Sequence, residues 1–522
     1  MRIFILFAIF FASSFITYGQ AEREKVSVVS FPKFKADERA IPINLIGHDT
    51  SGYYLQYSDG KYESNKIAIV KFDKKFTPTG KKLEIAGFND DEKSVTIAIN
   101  KVGKDLFHFF TIRKKRKVSY YYHKINLSKM DTSSRTLIME VNDKHGQISK
   151  SEKSLIFSPD SSKFALTYIT RTQNLSSQFV EVNVFDNTLK KLKKLSYYIP
   201  YQQGQFIIQG NALTNNGEYY MLVKKYIREE NPEAYKDSYL IYHLNDAMPN
   251  IIDEIVTTEH YYDRLKLLIS PDNKIVISGF YSDKINSESI KGIFYYRMDI
   301  NNHKVEKEVF TPFSEVFYTQ LLEEKKALKT RTKFKKGKLE AKDFELQKIM
   351  NYSNGDMALI AEEITISTSY GGAPSSTSVS VTSYNYLNLA IIRINKEGKI
   401  VWATKVAKNS MYLGKVYFYS YHYSFLRSND IFIIYNDNVA NIKHTTGKAV
   451  RAFDDGAALI MLKIDSDGNY ARQILRDEVF MDGHRFRPAL NNKIDNSRIL
   501  LFSQGITNLK SQKFLTLEFE EK

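Results

Sequence analysis

A short turn rich in Asp, Asn, Ser and Gly, followed by two apolar strands, recurs eight times along this chain and constrains its architecture more than any other feature. The strand after the turn begins at Tyr53 (YYLQY), Leu106 (LFHFF), Phe164 (FALTY), Tyr219 (YYMLV), Ile275 (IVISG), Met357 (MALIA), Ile431 (IFIIY) and Ile499 (ILLFS). The first seven turns read HDTSG, KVGKD, SPDSSK, TNNGE, SPDNK, SNGD and RSND, and their Gly, Asn and Asp residues supply the positive φ that a tight hairpin needs. A third strand recurs as KIAIVKFD, VSYYYHKINL, FVEVNVFD, YLIYHLND, GIFYYRMDI, LAIIRINKEG, LIMLKIDSDG and KFLTLEF. These strands alternate imperfectly, as strands covered on both faces should. A fourth strand follows a polar turn, for example over 304–310 and 400–406. Units of this length repeated in tandem imply an all-β chain folded as a β-propeller. Eight four-stranded blades are expected, or seven if one unit is split or packs outside the ring.

The last unit ends at Phe519 without a fourth strand, whereas residues 26–31 (VSVVSF) form an orphan strand near the start. The economical arrangement has the orphan complete the last blade, which closes the ring and removes a free sheet edge. Composition agrees with such a core. There are 35 Tyr and 34 Phe but one Trp and no Cys, a bias toward side chains that suit pleated surfaces.

Residues 1–20 have the form of an export signal: Arg2, an apolar run over 3–15, and small residues at Thr17 and Gly19 before a cleavage point. No stretch approaches the ~18 apolar residues of a membrane span, and without Cys there is neither lipid attachment nor a disulfide framework. The expected product is a single domain over 21–522, periplasmic or secreted. Its formal charge is +16, of which Arg2 in the leader contributes one. The positive charge gathers at 113–117 (RKKRK), 190–194 (KKLKK) and 325–338 (KKALKTRTKFKKGK). Such loops suit an envelope glycan or another anionic partner, but equally a solvated edge that discourages strand pairing. No nucleic-acid-binding motif accompanies them.

Two insertions break the repeat. From Ser314 to about Leu328 a Ser cap, early Glu and late Lys predict a surface helix, followed by a basic hairpin-like segment that ends near 343. Residues 366–384 (ISTSYGGAPSSTSVSVTSY) are a Ser/Thr/Gly stretch expected as a loop, an extended hairpin or a lid over the central channel.

The sequence nominates no catalytic, cofactor-binding or metal-ligating residue. Asp465, Asp467 and Asn469 resemble the start of a calcium loop, but the twelfth position that needs a bidentate Glu is Arg476, so a hairpin turn is expected. The ten His residues, among them His48, His108, His123, His422 and His484, show no zinc spacing. There is no GxSxG elbow, no Cys nucleophile and no length left over for a hydrolase domain. Asp49, Asp105, Glu218, Asp356 and Asp430 occupy corresponding turns, where hairpin chemistry alone asks for a carboxylate.

SPDSSKFAL (158–166) and SPDNKIVIS (270–278) resemble the repeat of TolB-like propellers, a family of exported scaffolds. The segment LAIIRINKEGKIVWATKVAK, with Ile394, Gly398 and Trp402, is similar to exported propeller proteins of Bacteroidetes-type bacteria. Both resemblances imply the fold and export and bring no functional residues with them. Three functions stay open: a non-enzymatic binding or scaffold module of the cell envelope; a glycoside hydrolase or lyase with a composite site in the central channel; and a sensor of a small ligand or metal. An acidic cluster at one channel mouth would favour the enzyme, and a basic or aromatic face would favour binding.

Overall fold

In the computed structural model, residues 21–520 are described except 37–39, 59–66, 86–92, 116, 143–151, 170–177, 200–205, 228–235, 246–248, 257–258, 285–288, 372–378, 414–421, 444–455 and 478–481. The expected leader lies outside the described residues. Eight antiparallel sheets follow one another around a ring, each running from a first strand at the channel to a fourth at the rim. Blades one to eight span residues 41–85, 93–142, 152–199, 206–256, 261–312, 344–413, 422–476 and 484–519.

Ring closure is as expected. Val26–Ser30 pairs antiparallel with the last strand, Val26 opposite Phe519 and Ser30 opposite Leu515, and so becomes the fourth strand of blade eight. Glu24, just upstream, is buried against Lys463 Nζ (2.9 Å) and Arg427 Nη1 (2.8 Å) of blade seven. The closure is therefore ionic as well as backbone-paired.

Burial grades outward. The second strand of blade five (Lys274–Ser282) is buried from its second residue on, and the third strand of blade seven (Ala457–Ile464) throughout. The fourth strand of blade five (Val305–Pro312) is mostly exposed. Tyr and Phe fill the space between blades: Tyr54, Tyr120, Tyr168, Tyr219, Tyr239, Tyr295 and Tyr435 are almost fully buried. Burying each such ring contributes on the order of 1.5–3 kcal/mol.

Antiparallel order gives the disc two unlike faces. First-to-second and third-to-fourth turns emerge on one, and these are short. Second-to-third and blade-to-blade connections emerge on the other, and these carry every ornament. The repeated turn chemistry belongs to the short-turn face. In blade three the Ser158 hydroxyl donates to Asp160 Oδ1 (2.7 Å) and accepts from Lys163 N (3.0 Å), and Ser270 does the same with Asp272 and Lys274 in blade five. Gly468, at φ +84°, has room for no Cβ, which would sit 2.7 Å from the Trp402 ring of the preceding blade. Gly398 likewise packs against Tyr295. Gly398 and Trp402 thus serve the two interblade contacts on either side of blade six.

The first insertion departs from expectation and the second takes the extended-hairpin alternative. The predicted helix is two helices, α1 (Glu315–Thr319), capped by Ser314, and α2 (Glu324–Lys335). The basic hairpin does not form. KFK is the last turn of α2, because Ala, Glu and Lys are strong helix formers and Gly337, at φ +67°, ends the helix only afterwards. Over 366–384 the chain forms a ladder rather than a loop: Ile366 opposes Tyr384 and Gly371 opposes Val379, prolonging the second and third strands of blade six into an arm. Thr, Tyr and Val favour that extended backbone, and the Thr368 and Thr382 hydroxyls meet across it at 3.2 Å. No helix among the described residues is long and apolar enough to cross a membrane.

Candidate functional site

The five turn carboxylates do not converge. Each is consumed locally on the short-turn face. Asp49 accepts from Ser51 and from Tyr54 Oη (2.6 Å), bonds that hold its carboxyl well below the usual range. Asp105 pairs with Lys124 (2.9 Å), Asp356 with Arg393 (2.7 Å) and Asp430 with Lys463 (3.2 Å). Glu218 meets Lys193 and His243 Nε2 (2.8 Å), and the His243 hydrogen bond leads in drawing its pKa down to about 2. The calcium-like turn is a hairpin device. Asp465 Oδ1 accepts from Asp467 N (3.0 Å) and Asn469 N (2.9 Å), as Asp186 does from Thr188 N and Lys190 N, and Asn395 from Glu397 N and Lys399 N. Among the described residues no group of three or more His, Asp or Glu could hold a metal ion.

The opposite face differs over blades six to eight. Five residues past the start of the second-strand repeat, blades three and five carry Ile169 and Phe280 and blades one, two and four carry Ser58, Thr111 and Lys224, whereas blades six to eight carry Glu362, Asn436 and Gln504, all buried. Glu362 is fully buried and lies 2.6 Å from the equally buried Lys408 Nζ and 3.4 Å from His422 Nδ1. Burial pushes the Glu362 carboxyl up, but Lys408 and His422 together pull it below its ordinary value. One strand deeper in sequence, Asp437 accepts from Asn441 Nδ2 (2.7 Å) and Asn438 N (2.8 Å), yet burial raises its pKa to about 6. Asn436 Nδ2 donates to the Phe486 carbonyl of the next blade (2.7 Å), and Arg472 bridges the Ala407 and Ile442 carbonyls at 3.2 Å.

Below this network a cavity of about 440 Å³ opens in the channel wall between the first strands of blades six, seven and eight. It exists because the first strand of blade eight is interrupted. His484–Phe486 pairs with the second strand, a 3-10 turn Pro488–Leu490 then leaves the sheet, and pairing resumes at Asn492. Pro488 has no N–H to offer a ladder, so the wall retreats at that point. Gln347, Lys348, Glu362, His422, Tyr423 and Asn491 line the space. Lys348 Nζ donates to the Ser424 carbonyl of blade seven (2.6 Å). Lys266, in the corresponding position of blade five, donates to the Gln347 carbonyl (2.9 Å). Burial lowers the pKa of both lysines, and of Lys153 on the first strand of blade three. No carboxylate lies within salt-bridge distance of any of the three among the described residues.

His422 falls in a strand, but its place beside Glu362 had no local signal: Glu362 and His422 come from strands of two blades and Lys408 from the connection that follows Ile400–Val406. The one legible hint is Glu362 in MALIAEE, acidic where blades three and five carry Ile169 and Phe280.

No family model matches the chain, and no curated protein is similar to it. Among solved structures it is similar to the Dos1 propeller (10% identity, TM-score 0.41, 95% of this chain and 96% of that one). It is also similar to an ulvan lyase of a polysaccharide lyase family (9% identity, TM-score 0.39, 94% of this chain and 96% of that one). A third match is prolyl oligopeptidase B from Galerina marginata (8% identity, TM-score 0.38), of which the chain, itself 92% covered, spans only 56%. At such identities the likeness is one of fold alone.

Proposed function

We propose that this chain is an exported β-propeller acting as a non-enzymatic binding or scaffold module of the cell envelope, and that it meets its partner on the long-connection face over blades six to eight. The observation that carries this reading is the concentration of buried polar side chains and open cavity in that sector, while the turn carboxylates elsewhere are neutralised within their own or adjacent blades. The arm of blade six stands beside it, with Ile366 62% exposed at its edge. Two of the three basic clusters, at the 113–117 turn and on α2, share the same face, which suits an anionic envelope partner. The leader and the resemblance of the SPD turns to TolB-like repeats support export to the periplasm or the medium.

Photo-crosslinking residues placed at Gln347 and Ile366, and at Asn302 on the short-turn face, test the reading in envelope extracts. Adducts at the first two positions and none at Asn302 are expected. Adducts at Asn302 alone would overturn it. A second reading, a hydrolase or lyase with its site in the channel, draws on one observation: the His422 ring is oriented beside a carboxylate at a cavity wall, as a general acid or base would be. Turnover of envelope polysaccharides that disappears in His422→Ala would move the assignment there.

A further inference from the structure

We infer that the cavity between blades six, seven and eight is a binding site for a carboxylate-bearing sugar unit, a hexuronate or a close relative. The inference rests on the binding-module reading and adds the ligand's chemistry. Three features argue for it together. The first is charge. Lys348 supplies a cation whose only hydrogen-bond partner among the described residues is the Ser424 carbonyl, so its charge is not neutralised. The carboxylate that shares the cavity, Glu362, is already matched by Lys408 at 2.6 Å. A ligand carboxylate therefore meets net positive potential, and a cationic ligand would find no free counter-charge.

The second is polar complementarity. The Gln347 amide, the His422 ring and the remaining sites of the Asn491 amide, which already donates to the Pro488 carbonyl and accepts from Phe502 N, offer polar contacts that suit several hydroxyls better than a bare anion. The third is shape. Tyr423 gives an aromatic surface, and about 440 Å³ lies within the ~300–1,000 Å³ of small-molecule sites. An inorganic anion would leave most of that space to water.

Calorimetry on the mature protein with glucuronate, glucose and inorganic phosphate tests this. Glucuronate is expected to bind at least tenfold more tightly than either of the others. Lys348→Met, which keeps the aliphatic stem and removes the charge, is expected to weaken glucuronate at least tenfold. Lys153→Met removes a lysine on the first strand of blade three, away from the cavity, and is expected to leave binding within twofold. Thermal unfolding of both variants controls for folding. Phosphate binding as tightly as glucuronate, equal losses in the two lysine variants, or no glucuronate binding to the folded protein would each overturn the assignment. If crosslinks persist at Gln347 while glucuronate fails to bind, the ligand class falls and the binding-module reading stands.

Discussion

The two faces of this disc are built from the same eight blades and use their polar residues in opposite ways. On the short-turn face each carboxylate is satisfied within a few residues or by the adjoining strand: Asp465 by its own turn, Asp356 by Arg393, Glu218 by Lys193 and His243. On the long-connection face Glu362, Lys408 and His422 meet only because a strand and a connection of blade six lie against the first strand of blade seven. The difference teaches that a repeated polar residue marks a structural device. A polar residue that breaks the repeat marks a place where the fold is put to another use. It also predicts that the two faces respond differently to substitution and to pH.

The largest effect is expected where a buried charge loses its partner. Lys408→Ala leaves Glu362 uncompensated and should lower stability by about 3–5 kcal/mol in urea unfolding, with Glu362→Gln in the same chain recovering part of the loss. A loss below about 1 kcal/mol would show that the network is not dry, and the contrast between faces would weaken. Next comes the tightest contact of the short-turn face. Gly468→Ala combines positive φ with a Cβ 2.7 Å from Trp402 and should cost about 2–4 kcal/mol by the same measurement.

The pH dependence should carry opposite signs at Glu218 on the short-turn face and Asp437 on the other. Glu218 has its pKa drawn from 4.5 to about 2, so its contribution is complete above pH 4.5 and is lost as the pH falls toward 2. Glu218→Gln is therefore expected to destabilise at pH 7 by about 1–3 kcal/mol and to matter less as the pH drops. Asp437 has its pKa raised from 3.8 to about 6, so its contribution is complete below pH 3.8 and is lost as the pH rises through 6. Asp437→Asn should leave stability equal or higher at pH 7.5 and make no difference at pH 3.5. Unfolding midpoints across pH 3–8 that move in the same direction for both variants would erase the distinction. The smallest effect is expected at the arm: Ile366→Ser, at an exposed edge, should change stability by no more than about 0.5 kcal/mol while reducing crosslinks to the partner.

The fold was legible because its signals are local. The Asp/Asn turns and the apolar strands that follow them set hairpins, and the orphan 26–31 strand had one vacant edge to fill, which Val26–Ser30 occupies. Where local signals competed, the reading went astray. Residues 333–340 were expected as a basic hairpin, yet helix propensity carries α2 through Lys335. The Ser/Thr stretch after Ile366 has the composition of a loop and the alternation of a strand, and pairing across the arm decides for the strand. The candidate site was less legible. His422 and Pro488 look like ordinary strand and turn residues until the ring places both beside Glu362.

From the amino-acid order alone come the blade repeat, the strand type, the turn chemistry and the closure of the ring, since each depends on residues a few positions apart or on the pairing of one unmatched strand. Only the tertiary structure decides which side chains share the channel wall. The cavity, the unneutralised Lys348 and the buried Glu362–Lys408 pair depend on how neighbouring blades are angled and on where one first strand leaves its sheet. Contacts between residues as distant as Gln347 and Asn491 leave no spacing in the chain, because it is the closing angle of the ring, not the repeat within a blade, that brings them together.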